Sequence, residues 1–216
     1  MAHSNRWEEI SIAIDGVAGA GKSTIGRALA AKVGLTFFDT GSTYRALALR
    51  ALRLGMADDD GESLGALAST LDLTLKDGRV FVAGDEVTAE IRTAEVSSFT
   101  SKVATVAQVR SAMVAWQRNY AESVGGVVGD GRDCGTVVLK EARLKVYLDA
   151  APEVRASRRG DLSLEAIKER DLRDSTRSID PLTIAEGAVV VDTSKMSIDE
   201  SVSYLYDRYL EAIERF

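Results

Sequence analysis

Short apolar stretches that read as strands alternate with longer segments of helical composition along most of the chain. Ile10, Ile12 and Ile14 alternate with the small Ser11 and Ala13, the pattern of a short buried strand. Residues 24–32 have helix-forming composition and run to Gly34, the expected C-cap. A second short strand, 35–38, leads into Asp39-Thr-Gly-Ser-Thr-Tyr-Arg45, after which residues 46–52 read as helix, closed by Gly55. Residues 58–71 read as a short amphipathic helix. Residues 71–75 and 80–82 alternate around Asp77-Gly78, a strong hairpin signal, and 84–88 adds a turn and a third short strand. This antiparallel piece interrupts the strand–helix alternation and predicts a lobe inserted into an α/β core.

Residues 94–122 read as helix, in one piece or two, with Val103, Val106, Val109, Met113 and Trp116 as a core-facing stripe. Ser101, Lys102 and Arg110 are the polar exceptions that could face a ligand. A buried strand, 125–130, ends in acid and is followed by Gly-Arg132-Asp133-Cys-Gly-Thr136; the next strand is 144–148. Arg155, Arg158 and Arg159 then share one helix face, and after Gly160 a second helix presents Arg170, Arg173, Asp174 and Arg177. Such faces are either solvated, laced with Glu165, Glu169 and Asp171, or built around an anion that relieves the repulsion between guanidiniums. A fully apolar strand, 188–192, precedes Ser197-Ile-Asp-Glu200, a capping pattern that opens the last helix.

Composition narrows the function classes. A chain of 216 residues with 45% hydrophobic and 28% charged content suits one globular α/β core with an appended lobe. No apolar run approaches the ~20 residues of a membrane span, so no membrane partner is expected. The first residues lack an apolar signal core, which makes the cytoplasm the expected compartment. The net charge of −6 argues against broad nucleic-acid binding. The single cysteine, Cys134, leaves no internal disulfide or cysteine-rich zinc site. The one histidine, His3, sits in a polar tail expected to be mobile, so none is available as a general base.

The strongest chemical signal follows the first strand. Gly16-x-x-x-x-Gly21-Lys22-Ser23 is a complete phosphate-loop pattern, here opening a helix. Gly16, Val17, Ala18, Gly19, Ala20 and Gly21 supply backbone N–H groups for a polyphosphate, with Thr24 continuing the wall. Lys22 brings a point charge to the β- and γ-phosphates, and the Ser23 hydroxyl is placed to hold Mg²⁺. A glycine-rich turn without a ligand would not need both Lys22 and Ser23. Thr40 or Ser42 reads as a helix cap, or Thr40, Tyr44 and Arg45 stand at the mouth of an acceptor site; position alone suits both. Asp130 either supports a magnesium ion from a neighbouring strand or caps a tight turn. Arg132 and Asp133, wedged between glycines at a strand's carboxyl end, favour function.

Ile-Asp-Gly-x-Ala-Gly-Ala-Gly-Lys-Ser-Thr, Asp39-Thr-Gly-Ser-Thr-Tyr-Arg45, Asp130-Gly-Arg-Asp-Cys-Gly-Thr136 and Ile167-Lys-Glu-Arg-Asp-Leu-Arg-Asp174 with Arg177 together resemble the bacterial cytidylate (CMP/dCMP) kinases. That resemblance implies a phosphate-loop α/β fold: a five-stranded parallel sheet flanked by helices, a small α/β acceptor-binding insert and a short lid. It lays out one kinase domain, 1–216, with core 8–39, 125–153 and 178–216. The acceptor region is then 40–124, including the antiparallel insert 71–90, and the shortened lid is 154–177. It implies Mg²⁺-dependent transfer from ATP to CMP or dCMP by a monomer. Thr40 would serve the cytosine side, Arg45 and Arg132 the CMP phosphate, and Ser101, Arg110 and Arg177 the base, with Tyr44 among the acceptor-binding residues. Asp133, Arg170 and Asp174 would hold the ribose or approach the phosphates, Arg158 would reach ATP, and Lys22, Arg132, Arg170 and Arg173 would carry catalysis. Two departures stand out: Ser42 in place of the usual alanine, and only Gly160, Asp161 and Leu162 between Arg159 and the 163–177 helix, a truncated lid.

The chemistry tolerates the missing histidine. The second ionisation of a nucleoside monophosphate lies near ~6, so its attacking oxygen is already anionic at neutral pH. Arginines, Lys22 and Mg²⁺ then have repulsion and developing charge to neutralise. A kinase of UMP or of a shikimate-like alcohol, the latter with Asp39 or Asp133 as base, and a non-enzymatic nucleotide switch remain as other readings.

Overall fold

The computed structural model describes residues 6–160 and 163–214, apart from the Arg159 side chain. His3, Asp161 and Leu162 lie outside the described residues. In chain order the elements are β1 (Ile12–Gly16), α1 (Lys22–Val33), β2 (Thr36–Asp39), α2 (Thr40–Arg53), α3 (Gly61–Ser69), β3 (Leu73–Lys76), β4 (Arg79–Val82) and β5 (Asp85–Glu86). Then come α4 (Ala94–Val103), α5 (Ala107–Ser123), β6 (Val127–Asp130), a wide π-type turn at Cys134–Val138, β7 (Leu144–Asp149), α6 (Pro152–Arg159), α7 (Leu164–Thr176), β8 (Val189–Asp192) and α8 (Ile198–Glu214). They form two compact units, residues 1–39 with 120–216, and residues 40–119.

The first unit is built on a five-stranded sheet of order β2-β6-β1-β7-β8, parallel throughout. Covering both faces of a parallel sheet buries its central strand completely, so β1 does not alternate. Ile12, Ala13 and Ile14 are all inaccessible, whereas Ile10 is 40% exposed and lies before the strand. Ser11 ties that entry down: its hydroxyl donates to the Trp7 carbonyl (2.6 Å) and accepts from the Val127 N–H (3.0 Å). Trp7, at the end of the polar tail, is itself buried. At the sheet's edge the apolar β8 leaves Val190 54% exposed.

Gly34 closes α1 in the left-handed conformation (φ 74°), as its position in the sequence leads one to expect. Gly160 does the same for α6 (φ 63°), and Ser163 caps α7 by accepting from the Ala166 N–H. The capping box at α8 is present, with Glu200 accepting from the Ser197 N–H and the Glu200 N–H donating to the Ser197 hydroxyl. The carboxyl ends of β2, β6, β7 and β8 each carry an acid, Asp39, Asp130, Asp149 and Asp192, and β1 carries Asp15 one residue before its end.

The second unit packs Leu47, Leu64, Ile91, Val103, Val109 and Met113 into its own core. Its antiparallel sheet has the order β3-β4-β5, and Asp77 and Gly78 are both left-handed (φ 51° and 74°), the conformation of a two-residue hairpin turn. The helical stretch after residue 94 divides into α4 and α5, and Val106 and Trp116 of the expected stripe are only partly buried. α2 begins at Thr40, so the motif expected as a loop with Thr40 or Ser42 as cap forms the helix's first turns. No helix among the described residues is long and apolar enough to cross a membrane.

Candidate active site

The loop between β1 and α1 has the backbone its glycines imply. Gly16, Gly19 and Gly21 hold positive φ angles of 140°, 82° and 92°. A Cβ on Gly16 would stand 2.0 Å from the Leu148 carbonyl oxygen, so close passage against β7 alone excludes any side chain there. Gly21 caps α1 without a side-chain hydrogen bond, leaving the first N–H groups of this helix to an anion.

Lys22 and Ser23 open that helix. The Lys22 ammonium donates to the Val17 carbonyl (2.8 Å) and the residue is only 7% exposed. Burial, reinforced by Arg132 and Arg170 and opposed by Asp130 and Asp174, lowers its pKa to about 7. Such a lysine is a cation in want of an anion. Exposed Ser23 donates its hydroxyl to the Asp130 carboxylate at the end of β6. Burial pushes Asp130 up, with Lys22 pulling against it and Asp39 adding to it. A hydroxyl and a carboxylate are hard oxygen donors suited to Mg²⁺, which binds through few protein ligands and keeps waters and phosphates for the rest.

Around Lys22 the first unit assembles an alternating network. Arg132 donates from Nε to Asp174 (2.6 Å), and Arg177, at the C-cap of α7, approaches Asp133 (3.4 Å) while donating to the Asp180 carbonyl. Burial works against the Arg132 charge, but Asp174 beside it, with Asp130 and Asp15, holds the guanidinium cationic. Burial likewise opposes ionisation of Asp174, and Arg132 outweighs it, helped by Arg170 and Arg177, so its pKa falls below the ordinary value. Arg132, Asp133, Arg170, Asp174 and Arg177 are therefore brought together with Lys22. Arg173 stands exposed on α7, outside these contacts.

The two arginine helices answer the choice between a solvated face and an anion-centred one in a third way. Arg155, 3% exposed, donates to the Ala150 and Ala18 carbonyls (2.8 and 3.1 Å) and makes a two-pronged contact with Asp171 (3.0 and 2.6 Å). It thus joins the phosphate loop to α7. Arg158 donates to the hydroxyl and carbonyl of Thr193, whose own hydroxyl meets the Ala20 carbonyl (3.0 Å). Both arginines support the loop from behind in this structure.

In the second unit Thr40, Tyr44 and Arg45 occupy the first turns of α2, the first two buried and Arg45 half-buried. Buried Arg110 donates to the Ala104 carbonyl (3.3 Å) and lies 5.7 Å from the Tyr44 ring centre, joining two of the expected acceptor residues. Ser101 is exposed and donates to the Ser97 carbonyl, and Lys102 pairs with Asp58. Gln117, unremarked in sequence, is buried and donates to the Thr43 hydroxyl (2.8 Å), which donates in turn to the Thr40 carbonyl. Asp15 is the second residue missed, although an acid within a strand otherwise of Ile, Ala and Gly was a visible signal.

Comparison with known proteins adds independent support. Residues 12–211 match the family model described as Cytidylate kinase. A cytidylate kinase of Exiguobacterium sibiricum is 47% identical, covering 92% of this chain and 96% of that one. The cytidylate kinase of Mycobacterium leprae is 41% identical, covering 92% and 95%. Among solved structures, a protein of Thermus thermophilus superposes with a TM-score of 0.51 at 19% identity, covering 94% of this chain and 96% of its own, a likeness of fold alone.

Proposed function

Because the chain belongs to the cytidylate kinase family, we propose that the charge network around Lys22 is where the γ-phosphate of ATP is passed to CMP or dCMP. The protein is a (d)CMP kinase, making CDP or dCDP and ADP, and this displaces the alcohol-kinase and switch readings. The observation that carries the residue assignment is a buried Lys22, its pKa lowered, in the field of Arg132, Asp130 and Asp174, with Asp130 ending β6 and Arg132 bonded to Asp174.

The reaction needs alignment and charge neutralisation rather than a proton acceptor. The loop from Gly16 to Thr24 binds the donor phosphates through backbone N–H groups, and Lys22 regains full charge against them. Bound with ATP, Mg²⁺ supplies charge neutralisation of the transferring group; Ser23 would hold it and Asp130 would orient Ser23. Arg132 takes the acceptor phosphate, oriented by Asp174, while Arg170 offers further positive charge during transfer; Arg173, exposed on α7, would have to turn inward to add its own. Asp133 and Asp174 hold the ribose. Thr40, Tyr44, Arg45, Ser101, Arg110 and Arg177 recognise the rest of the acceptor. Arg158 enters this reading as support to the phosphate loop through Thr193, and its reach to ATP is a proposal that the Thr193 contact would have to release. A cytoplasmic monomer acting on small nucleotides completes the reading, and the net charge of −6 supports small nucleotides rather than nucleic acid as its partners.

A site whose buried groups bond particular polar atoms rejects a base that leaves them unpaired. AMP and GMP are therefore expected to be phosphorylated with kcat/KM at least ~100-fold below that of CMP, with UMP intermediate or poor. Coupled ADP release across the four monophosphates checks this, and turnover of AMP comparable with CMP would remove the assignment of the base-binding residues.

A further inference from the structure

Asp15 has no part in the steps above, yet it is 3% exposed and both carboxylate oxygens are engaged. Oδ1 accepts from the Cys134 N–H (2.8 Å) and Oδ2 from the Gly135 N–H (2.7 Å). These two N–H groups open the π-type turn directly after Arg132 and Asp133. Asp15 itself directly precedes Gly16, the first residue of the phosphate loop. The fit is close: a Cβ on Gly135 would lie 3.4 Å from Oδ2 and 3.1 Å from the Ala185 Cβ. One carboxylate therefore fastens the start of the phosphate loop to the segment that carries Arg132.

We propose that Asp15 is a positioning residue for phosphoryl transfer: its ionised carboxylate, by accepting from Cys134 and Gly135, sets Arg132 and Asp133 against the phosphate loop. The inference rests on the assignment of Arg132 to the acceptor phosphate. Only the ionised form can accept at both oxygens; a protonated one turns an O–H toward an N–H. A displacement of even ~1 Å in a charge-stabilising group is enough to cost rate.

The electrostatics agree. Burial raises Asp15 to about 6 against the lowering by its two N–H partners, with Asp133 adding to the rise and Lys22 opposing it. Arg132 and, on β7, Tyr147 also lie in its field, and the Lys145 side chain, likewise on β7, passes beside Gly135. The folded protein thus holds this proton more tightly than the unfolded chain, so the contribution of Asp15 to stability falls as pH rises from 3.8 through about 6. At neutral pH its charge opposes folding, which points to a use other than stability.

The test compares the parent with Asp15→Asn, a permanent stand-in for the protonated form. At about pH 8 the variant is expected to have kcat/KM for CMP lower by about tenfold or more, with KM for ATP changed less. The ratio should shrink toward one at about pH 5, where the parent is protonated too; the ionisation of CMP affects both proteins and cancels. In the parent, the Cys134 and Gly135 amide proton resonances should titrate together with a midpoint near 6. A ratio near one at pH 8, a ratio constant with pH, or amide protons that do not titrate between pH 5 and 7 would each overturn the role. The last measurement needs no variant, so a poorly folding Asp15→Asn leaves the question decidable. If the pH-dependent ratio held while Arg132→Ala left KM for CMP unchanged, the positioning role would stand and the acceptor assignment of Arg132 would fall.

Discussion

Lys22→Ala is expected to lower turnover with ATP and CMP by ~10³-fold or more, because it removes a charge aimed at the transferring group in a site that excludes water. Lys22 is buried at the start of α1. The variant should fold nonetheless. Its ammonium is held out of water at the expense of a pKa lowered to about 7, so its loss relieves a strained charge, and the Val17 carbonyl gives up one hydrogen bond. The same depressed value makes a second, separable prediction. Without nucleotide, Lys22 is largely neutral above about 7; beside a triphosphate it is restored to the cation. ATP binding should therefore take up a proton between about pH 7 and 10, seen as a dependence of the calorimetric heat on buffer ionisation enthalpy, and Lys22→Ala should abolish it. Near-parental turnover in the variant, or nucleotide binding without proton uptake at about pH 8.5, would contradict the assigned role of Lys22.

Local rules made much of the fold legible in advance. The glycine that ends α1, the Asp77-Gly78 hairpin and the Ser197–Glu200 box depend only on neighbouring residues, and all three are found. The five-stranded sheet follows the family resemblance, with strand limits shifted by one or two residues. What local patterns could not convey depends on the second layer of packing. Ile10 has the alternation of a strand residue but lies outside β1, since a central parallel strand is buried on both faces and needs no alternation. Thr40–Arg45 begins with cap-like residues but is helical from Thr40. The partners of Arg155 and Arg158 lie far along the chain, at Ala18, Asp171 and Thr193, so one arginine face could not be told from another by spacing. Asp15 was overlooked for a related reason: its two N–H partners are more than a hundred residues away.

Arg132→Ala is expected to raise KM for CMP by ~10²-fold and to lower kcat as well, with KM for ATP little changed. A planar guanidinium can meet two phosphate oxygens at once, so Arg132→Lys should recover only part of the loss. The change reaches beyond the acceptor. Arg132 and Asp174 are both largely shielded from water, and their contact is the main influence holding the half-buried Asp174 ionised. Removing the arginine should cost stability between the ~1 kcal/mol of an exposed pair and the ~3 kcal/mol or more of a buried one. The sign of the pH dependence follows from the lowered pKa of Asp174. The stabilisation is present above the unfolded value of 3.8 and lost as pH falls through the lower folded one, so the stability gap between parent and variant should close in acid. Restoring order at Asp174 separates the two effects: Arg132→Ala with Asp174→Asn should regain stability without regaining affinity for CMP. Equal increases of KM for ATP and CMP in Arg132→Ala would show instead that this arginine serves the donor nucleotide, and that the acceptor phosphate is met by other groups such as Arg45 or Arg170.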